Sequence, residues 1–445
     1  MEKQVEHLRQ YWQNHRGGRK MLMSKRQKAW MILFVILFLL IPVYGMAYTT
    51  GKVVDFFTGK PVKEAFVTLN NDVVVTDKNG IFTASTPSSK LSVRAPGYRK
   101  TEQVFIPLNS TPQEVKLIPF TPKALYLSFF GIGDRSLRES AIRLMQETEL
   151  NTLVIDVKGD RGMIPYKSSI PLAAEVGAQR TITVKEMAPL MKSLKAKGIY
   201  TIARIVVFKD NLLAQARPDW AVKTPGGEIW RDRENLAWVD PFNKQVWEYN
   251  IHIALEAAQY GFDEIQFDYI RFPEPSGLRF SMPPTEENRV NAVSGFLMEA
   301  RRRLISYNVF LTADIFGYVC WNLNDTKIGQ RLEDLVTHLD YICPMLYPSG
   351  FQYGIPGYRN PVATPYENIY LSLKRAQERT NLPSHRFRPW LQAFRDYAFD
   401  GRFFNDQEIL AQVKAAEGFG SHGWMLWNPR NIYSMAGLKK EKPLG

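Results

Sequence analysis

From Lys123 onwards, short apolar segments alternate with longer amphipathic ones. Eight of the apolar segments have the length of strands: ALYLSFF, TLVIDVKG, YTIARIVVF, EIQFDYIRF, VFLTADIFG, DYICPMLYP, RPWLQAF and GWMLWNP. Strands that alternate with helices imply parallel βαβ units. Eight such units over residues 121–435 predict a (β/α)8 barrel.

The segments between these strands carry helical patterns. In KQVWEYNIHIALEAAQYG, the apolar residues Val246, Tyr249, Ile253 and Ala257 follow helical spacing. Similar patterns occur in SLRESAIRLMQETE, VKEMAPLMKSLKAKG and TEENRVNAVSGFLMEARRRLIS. A doubly wound open sheet is the competing fold. It is disfavoured because the turn after the first strand, SFFGIGDRS, lacks the third glycine of a phosphate-binding loop.

Residues 49–120 have a different pattern of apolar and polar positions. Short apolar stretches are joined by polar turns, including the hairpin signal Asn79-Gly80, which predicts a small β-sandwich. The residues GKVVD, TGKPVKEAFVTLN, VVVTDKNGIF and VRAPGY resemble the carboxypeptidase regulatory-like family. That resemblance implies a spacer or adhesive module that carries no catalysis.

The N-terminal part reads as a membrane anchor. An uncharged apolar run over 29–48 is long enough to span a bilayer, which takes about 20 residues. Residues 1–28 carry eight Lys or Arg against two Glu, which predicts a cytoplasmic tail with the rest of the chain outside. A cleaved signal is the alternative, because Gly45–Ala47 offers a small-x-small site.

Charge and cysteine content then narrow the function. Nearly half of the net charge of +13 comes from that basic tail, so nucleic acid is not an expected partner. Cys320 and Cys343 could form one bridge at most, and two buried thiols are the preferred interpretation. Neither a metal nor another cofactor is expected, since His252 and His338 lie on helix-like segments and form no cluster.

Polar residues fall repeatedly in the second half of the predicted strands or just after them. In barrels of this type the catalytic groups lie at these C-terminal ends. Strict alternation puts Asp156 and Lys158 on one face of the second strand, and Glu264, Gln266 and Asp268 on one face of the fourth. The further candidates of this kind are Arg204, Arg271, Asp314, Tyr347, Gln392, Trp427 and Asn428.

Asp268 and Asp314 lie at matching depth on consecutive strands. Glycosidic cleavage needs one protonated carboxyl and one ionised carboxylate, roughly 5–9.5 Å apart. Arg204 or Arg271 could hold one of them ionised, and Glu274 in the following loop is the reserve acid. A buried ion pair with a neighbouring cation is the competing interpretation, at least as strong for Asp156 with Lys158.

Aromatic residues suggest a carbohydrate cleft, because sugar rings stack on aromatic planes. Many of them, including Trp230, Trp238, Trp390 and Trp427, fall at strand ends or in the following loops. For any single aromatic residue, core packing is the better interpretation. The segment Asp210 to Asp240 is too long for a simple connection, which suggests a lid or subsite wall.

The barrel motifs also resemble a specific family. LVIDVKGDRG, LAWVDPF, EAAQYGFDEIQFDYIRFP, LTADIFGY and DYICPMLYPS are similar to a bacterial family of glycoside-hydrolase-like barrels, formerly a domain of unknown function. The resemblance implies a TIM barrel and a carbohydrate-related activity. It also implies for Asp268 the role of nucleophile or stabiliser.

The sequence therefore predicts an exported, membrane-tethered glycoside hydrolase that acts on a cell-envelope or extracellular polysaccharide. Asp268 would serve as nucleophile or base and Asp314 as general acid. The main alternative is a non-catalytic carbohydrate-binding barrel at the envelope. An aldolase, which would use Lys158, and a phosphate-handling enzyme are weaker alternatives.

Overall fold

The computed structural model describes residues 49–84, 90–104 and 113–440. The predicted tail (1–28) lies outside these residues, as does all of the predicted anchor (29–48). Within the described ranges, every helix is too short or too polar to cross a bilayer.

The first seven strands form two small sheets around one apolar core. In chain order they are β1 (Thr49–Asp55), β2 (Phe66–Leu69), β3 (Asp72–Val75), β4 (Ile81–Ala84), β5 (Lys90–Arg94), β6 (Thr101–Val104) and β7 (Gln113–Leu117). One sheet has the order β4-β1-β7 and the other β3-β2-β5-β6. Val53, Val67, Leu91 and Val115 bring both sheets into the shared core. The predicted short strands are present, and the carboxypeptidase regulatory-like resemblance stays a prediction.

The next eight strands close into a parallel barrel. They are β8 (Lys123–Leu127), β9 (Thr152–Lys158), β10 (Tyr200–Val206), β11 (Glu264–Asp268), β12 (Phe310–Phe316), β13 (Tyr341–Met345), β14 (Trp390–Gln392) and β15 (Trp424–Trp427). They pair in chain order, and β15 returns to β8. The predicted eight-stranded barrel is therefore confirmed, and the open doubly wound sheet is excluded.

Helices surround this barrel. In chain order they are α1 (Phe129–Gly133), α2 (Arg135–Glu147), α3 (Pro171–Glu175), α4 (Met187–Ala196), α5 (Asn211–Ala216), α6 (Lys244–Gln259), α7 (Glu286–Leu304), α8 (Leu332–Leu335), α9 (Pro365–Thr380) and α10 (Asp406–Phe419). In helix α7, a capping side chain and the placement of charges explain where the helix begins and ends. Its N-cap Thr285 accepts from the Asn288 N–H, and its last turn carries three arginines, which suits the helix dipole.

Alternation along the strands separates two packing layers. On β11, Ile265 and Phe267 join the apolar layer between strands and helices. Glu264, Gln266 and Asp268 take the opposite face, which points into the barrel. Both cysteines, Cys320 and Cys343, are free and buried, as expected.

A buried ion pair lies in the lower half of the barrel interior. Arg388 Nη1 donates to both oxygens of Glu264, at 2.7 and 2.8 Å, and both side chains are fully buried. Glu264 also accepts from the hydroxyls of Tyr200 and Thr312. This set of contacts satisfies the two buried charges.

The small sheets dock against the N-terminal ends of the barrel strands. The Gly97 N–H donates to the Tyr341 hydroxyl at 2.8 Å, at the start of β13. Lys100 Nζ reaches the Phe262 carbonyl at 2.8 Å, just before β11. This arrangement covers the floor of the barrel and leaves the C-terminal mouth free for a site.

We expect Arg388→Met to lower the free energy of unfolding by about 3–5 kcal/mol, because it leaves Glu264 buried without its cation. The double variant Arg388→Met/Glu264→Gln should recover part of that loss, since it removes the stranded charge. Urea denaturation of all three proteins at neutral pH measures both effects. A loss below about 1 kcal/mol for Arg388→Met would show that the pair adds little.

Candidate active site

One guanidinium organises the mouth of the barrel. Arg204, on β10, donates from Nη1 to Asp156 on β9 at 2.6 Å. On its other side, Nε and Nη2 donate to one oxygen of Asp268 on β11, at 3.0 and 2.5 Å. Burial alone would lower the pKa of Arg204, but these two carboxylates raise it well above its usual value. Arg204 therefore stays charged and ties three adjacent strands together.

Asp268 ends β11 in a strained turn. Its second oxygen, Oδ1, accepts from the Tyr269 backbone N–H at 2.6 Å. Tyr269 has a φ of 50°, in the left-handed region that a bulky residue rarely adopts. Three N–H groups thus hold the carboxylate of Asp268 in a fixed orientation.

Asp314, on β12, has a different environment. Its Oδ1 accepts from the Trp390 indole N–H at 2.6 Å. Its Oδ2 accepts no hydrogen bond from any residue that the structure describes. Burial, together with the nearby charge of Asp268, raises the pKa of Asp314 well above its usual value. These surroundings therefore favour the protonated form of Asp314.

The two carboxyl groups lie close together. Arg204 Nε is 3.0 Å from Asp268 Oδ2 and 4.0 Å from Asp314 Oδ2. Those two oxygens are therefore at most 7.0 Å apart, which is the sum of the two distances. This upper bound lies below the roughly 9.5 Å limit of glycosidase carboxyl pairs, so the two groups are close enough to act on one bond.

Asp156 contacts Arg204, the cation that also binds Asp268. Its Oδ2 accepts from the Tyr126 hydroxyl at 2.7 Å and from the Phe129 N–H at 3.3 Å. Burial raises the pKa of Asp156, although Arg204 opposes that shift. Asp156 positions Arg204 and does not line the open cavity.

A cavity of about 250 Å³, here called the central cleft, opens above these groups. It is lined by six of the predicted site residues: Arg204, Asp268, Arg271, Asp314, Tyr347 and Trp427. Trp427 lies under Arg204, with its ring 4.9 Å from the guanidinium carbon, and stacks on Tyr126 at 3.9 Å. Aromatic walls and two unlike carboxyls thus share one cleft.

The long segment after β10 forms a second cavity, here called the side pocket. Isolated bridges Ala221–Val239, Lys223–Ile229 and Arg231–Ala237 fold the segment back on itself. The side pocket, also about 250 Å³, is lined by Lys209, Trp230, Trp238 and neighbouring residues. It shares Tyr269 and Arg271 with the central cleft. The segment therefore lies beside the cleft, and its role as a lid or subsite wall stays a prediction.

The prediction that Lys158 shares a face with Asp156 is wrong. The β9–β10 register shifts after Arg204, which pairs with Asp156, while the next residue, Ile205, pairs with Lys158. This bulge turns Lys158 away from the cleft, where its Nζ binds Asp210 at 2.6 Å. Fully buried in that ion pair, Lys158 cannot bind substrate or act as an aldolase lysine.

Gln392 and Asn428 are also misplaced as substrate ligands. The Gln392 side chain is buried and exchanges hydrogen bonds with Ser349. Asn428 donates to the carbonyls of Ala393 and Ile432. Both amides hold loops together, so they shape the mouth without facing the central cleft.

Some residues were not singled out from the sequence. Tyr126 lies in the second half of β8, and the rule used for the other strands would have found it. Phe351 and Tyr397 line the cleft from loops, where no periodic pattern points to them. Glu274, the reserve acid, is two-thirds exposed and lines the side pocket.

The arrangement suits acid–base chemistry between two carboxyls. Across residues 49–84, 90–104 and 113–440, no group of three or more His, Cys, Asp or Glu side chains could hold a metal ion. The groups that can act are a carboxylate held by N–H donors and a protonated carboxyl in a buried, aromatic-lined cleft.

Comparison with known proteins places these features in context. A family model described as "Putative glycosyl hydrolase domain" matches residues 124–433, more than half of the chain. A search of curated proteins finds no match.

Three solved structures resemble parts of the chain. A hypothetical protein from Ruminiclostridium thermocellum is 40% identical over 43% of this chain and 96% of its own, with a TM-score of 0.39. The PgaB (BpsB) glycoside hydrolase domain from Bordetella bronchiseptica is 15% identical, covering 70% of this chain and 95% of its own, with a TM-score of 0.52. The spore cortex-lytic enzyme SleL from Bacillus megaterium is 14% identical over 76% of each chain, with a TM-score of 0.41. The PgaB domain supports the barrel fold alone.

We expect Asp314→Asn to raise the melting temperature, and to raise it more as pH increases. The folded pKa of Asp314 lies above its unfolded value of 3.8, so its contribution to stability is largest below that pH. The contribution falls as pH rises towards the folded pKa, and asparagine does not titrate. Each kcal/mol gained should add about 2–4 °C, measured by thermal unfolding between about pH 4 and pH 8.

The exposed Glu274→Gln serves as the matched control and should show no such pH-dependent gain. A difference between Asp314→Asn and wild type that stays constant with pH would mean that Asp314 is not protonated in the folded protein.

Proposed function

We propose that this chain, which belongs to the glycosyl hydrolase family whose model matches residues 124–433, hydrolyses glycosidic bonds of a cell-envelope or extracellular polysaccharide. In this proposal Asp268 is the nucleophile or base, and Asp314 is the general acid. Arg204 and Tyr347 bind or orient groups within the central cleft, and Trp427 supplies an apolar platform.

The difference between the two carboxyl environments carries the proposal. Asp268 accepts three hydrogen bonds, two of them from a guanidinium. Asp314 is buried, and its Oδ2 receives no hydrogen bond from the described part of the chain. Pairs of carboxyls whose environments separate their pKa values are the mark of acid and base roles in one site.

The proposed reaction follows from these states. Asp314 donates its proton to the glycosidic oxygen as the bond to the anomeric carbon breaks. Asp268 either removes a proton from the water that attacks that carbon, or attacks the carbon itself. In the second case a glycosyl-enzyme ester forms, and water that gives its proton to the now ionised Asp314 breaks this ester and frees Asp268. Arg204 keeps its own proton throughout, because a guanidinium does not deprotonate in proteins, and it holds Asp268 in place with two hydrogen bonds.

Replacing either carboxyl by its amide should remove most activity. Asp314→Asn loses the proton donor, so we expect kcat to fall by about 10²–10⁴-fold, and Asp268→Asn should lose at least as much. The measurement is release of reducing ends from a panel of envelope glycans by the full chain. The control, Glu147→Gln, should keep its activity because that exposed side chain at the end of α2 lines neither cavity.

The pH profile provides a check on roles. Activity needs protonated Asp314, so the alkaline limb of kcat/KM should follow loss of that proton. The residual activity of Asp314→Asn should lack this limb. If wild type binds glycan without cleaving any, and both Asn variants bind equally well, the protein is instead a carbohydrate-binding barrel.

The proposal includes a location outside the cytoplasm, tethered by residues 29–48. Support comes from the sequence, in which an uncharged apolar run follows a strongly basic segment. The full chain should remain with membranes after alkaline washing, and its barrel should be open to protease added outside the cell. Deleting residues 1–48 should abolish membrane retention. Recovery from the medium of a chain that begins after Ala47 would instead indicate a cleaved signal.

A further inference from the structure

We propose that the side pocket is a subsite for a sugar that bears a carboxylate, and that Arg271 binds this carboxylate. The inference rests on the proposed glycoside hydrolase activity and adds to it the substrate class, an acidic polysaccharide. It depends on the position, packing and free hydrogen-bonding capacity of one arginine.

Arg271 lies at the junction of the two cavities. It lines both the central cleft and the side pocket, as does Tyr269, the residue that follows Asp268. A glycan that crosses Asp268 from the central cleft would therefore pass Arg271 as it enters the side pocket. The side pocket is then the position for a sugar adjacent to the cleaved bond.

Aromatic packing fixes the Arg271 guanidinium in this position. Its central carbon lies 4.9 Å from the Trp238 ring and 5.3 Å from the Tyr269 ring. The side chain is 18% exposed, so it is largely desolvated but remains within reach of a ligand. A guanidinium held in this way loses little further freedom when it binds a planar anion.

The hydrogen-bonding capacity of Arg271 is mostly unused. Nη1 donates to the Phe272 carbonyl at 3.2 Å and lies 3.9 Å from the exposed Glu274. Among the described residues, Nε and Nη2 make no recorded hydrogen bond, which leaves one edge of the fork for a ligand. Such an edge matches the two oxygens of a carboxylate.

Two acidic side chains of the side pocket, Glu234 and Asp232, already have a cationic partner. Lys209 binds Glu234 at 2.7 Å and Asp232 at 3.1 Å. Asp232 also accepts from the Trp238 indole N–H at 3.0 Å. Lys209 is already engaged by these carboxylates, and Arg233, which also lines the pocket, is exposed. Arg271 is therefore the partly buried cation of the side pocket with free donors, and it favours a carboxylate at its own edge of the pocket.

Two polymers and their neutral derivatives provide the test. A uronic-acid polysaccharide carries the carboxylate on the sugar ring, and peptide-free peptidoglycan strands carry it on a lactyl ether. Carboxyl reduction converts each into a neutral glycan of the same backbone. Binding by calorimetry and kcat/KM from reducing ends are measured for the full-length wild type, Arg271→Gln and Arg143→Gln. Arg143 is an exposed arginine on α2, so its variant is the control for loss of one positive charge.

Wild type should prefer at least one carboxylated polymer to its reduced form by about 10–100-fold, and the preferred polymer identifies the source of the carboxylate. Arg271→Gln should remove this preference while changing the reduced form less than about threefold. Arg143→Gln should retain it. Equal losses on both forms would show that Arg271 is only structural and would overturn the subsite.

Binding distinguishes failure of the subsite from failure of the enzyme. If wild type cleaves neutral glycans without any carboxylate preference, the hydrolase stands and the acidic subsite is overturned. If it cleaves nothing yet binds the acidic form in an Arg271-dependent way, the subsite stands and the hydrolase fails.

Discussion

The functional end of the barrel depends on the charge balance around Arg204. This one guanidinium binds Asp156 and Asp268 directly and lies 4.0 Å from Asp314. One positive charge cannot neutralise three buried carboxylates, so the site must hold protons. The proton is expected where the cation gives least support, which is Asp314. The difference between the two carboxyls therefore follows from counting charges before any substrate is present.

The fold can maintain this imbalance because the barrel is stabilised elsewhere. Arg388 and Glu264 form a fully buried pair lower in the interior, and the small sheets cover the strand N-termini. The mouth contains an unpaired oxygen on Asp314 and a left-handed Tyr269. Backbone strain and an unpaired carboxyl oxygen thus occur together at the end where chemistry is expected.

Sequence periodicity correctly predicted which face of a regular strand a side chain occupies. It failed for side chains whose position depends on a bulge or on tertiary contacts. Alternation placed Asp268 and Arg204 inside the barrel because side chains of a regular strand change face at every residue. The same rule misplaced Lys158, because one bulge in β9 reverses the alternation and strand propensity does not reveal bulges. Gln392 has a plausible position in the sequence, yet only the structure shows that Ser349 already uses its amide. Loop residues such as Tyr397 enter the cleft through tertiary folding, which leaves no local pattern.

The residues that follow Asp268 contribute to both cavities. Tyr269 must turn its N–H towards Asp268 while its ring packs near Trp238, and its left-handed backbone permits both. That turn in the chain also places Arg271 over the rings of Trp238 and Tyr269. One strained residue therefore couples the orientation of the proposed nucleophile to the wall of the side pocket. A sugar bound at Arg271 would therefore lie beside the backbone turn that positions Asp268, so the proposed recognition and catalytic groups come from one short segment.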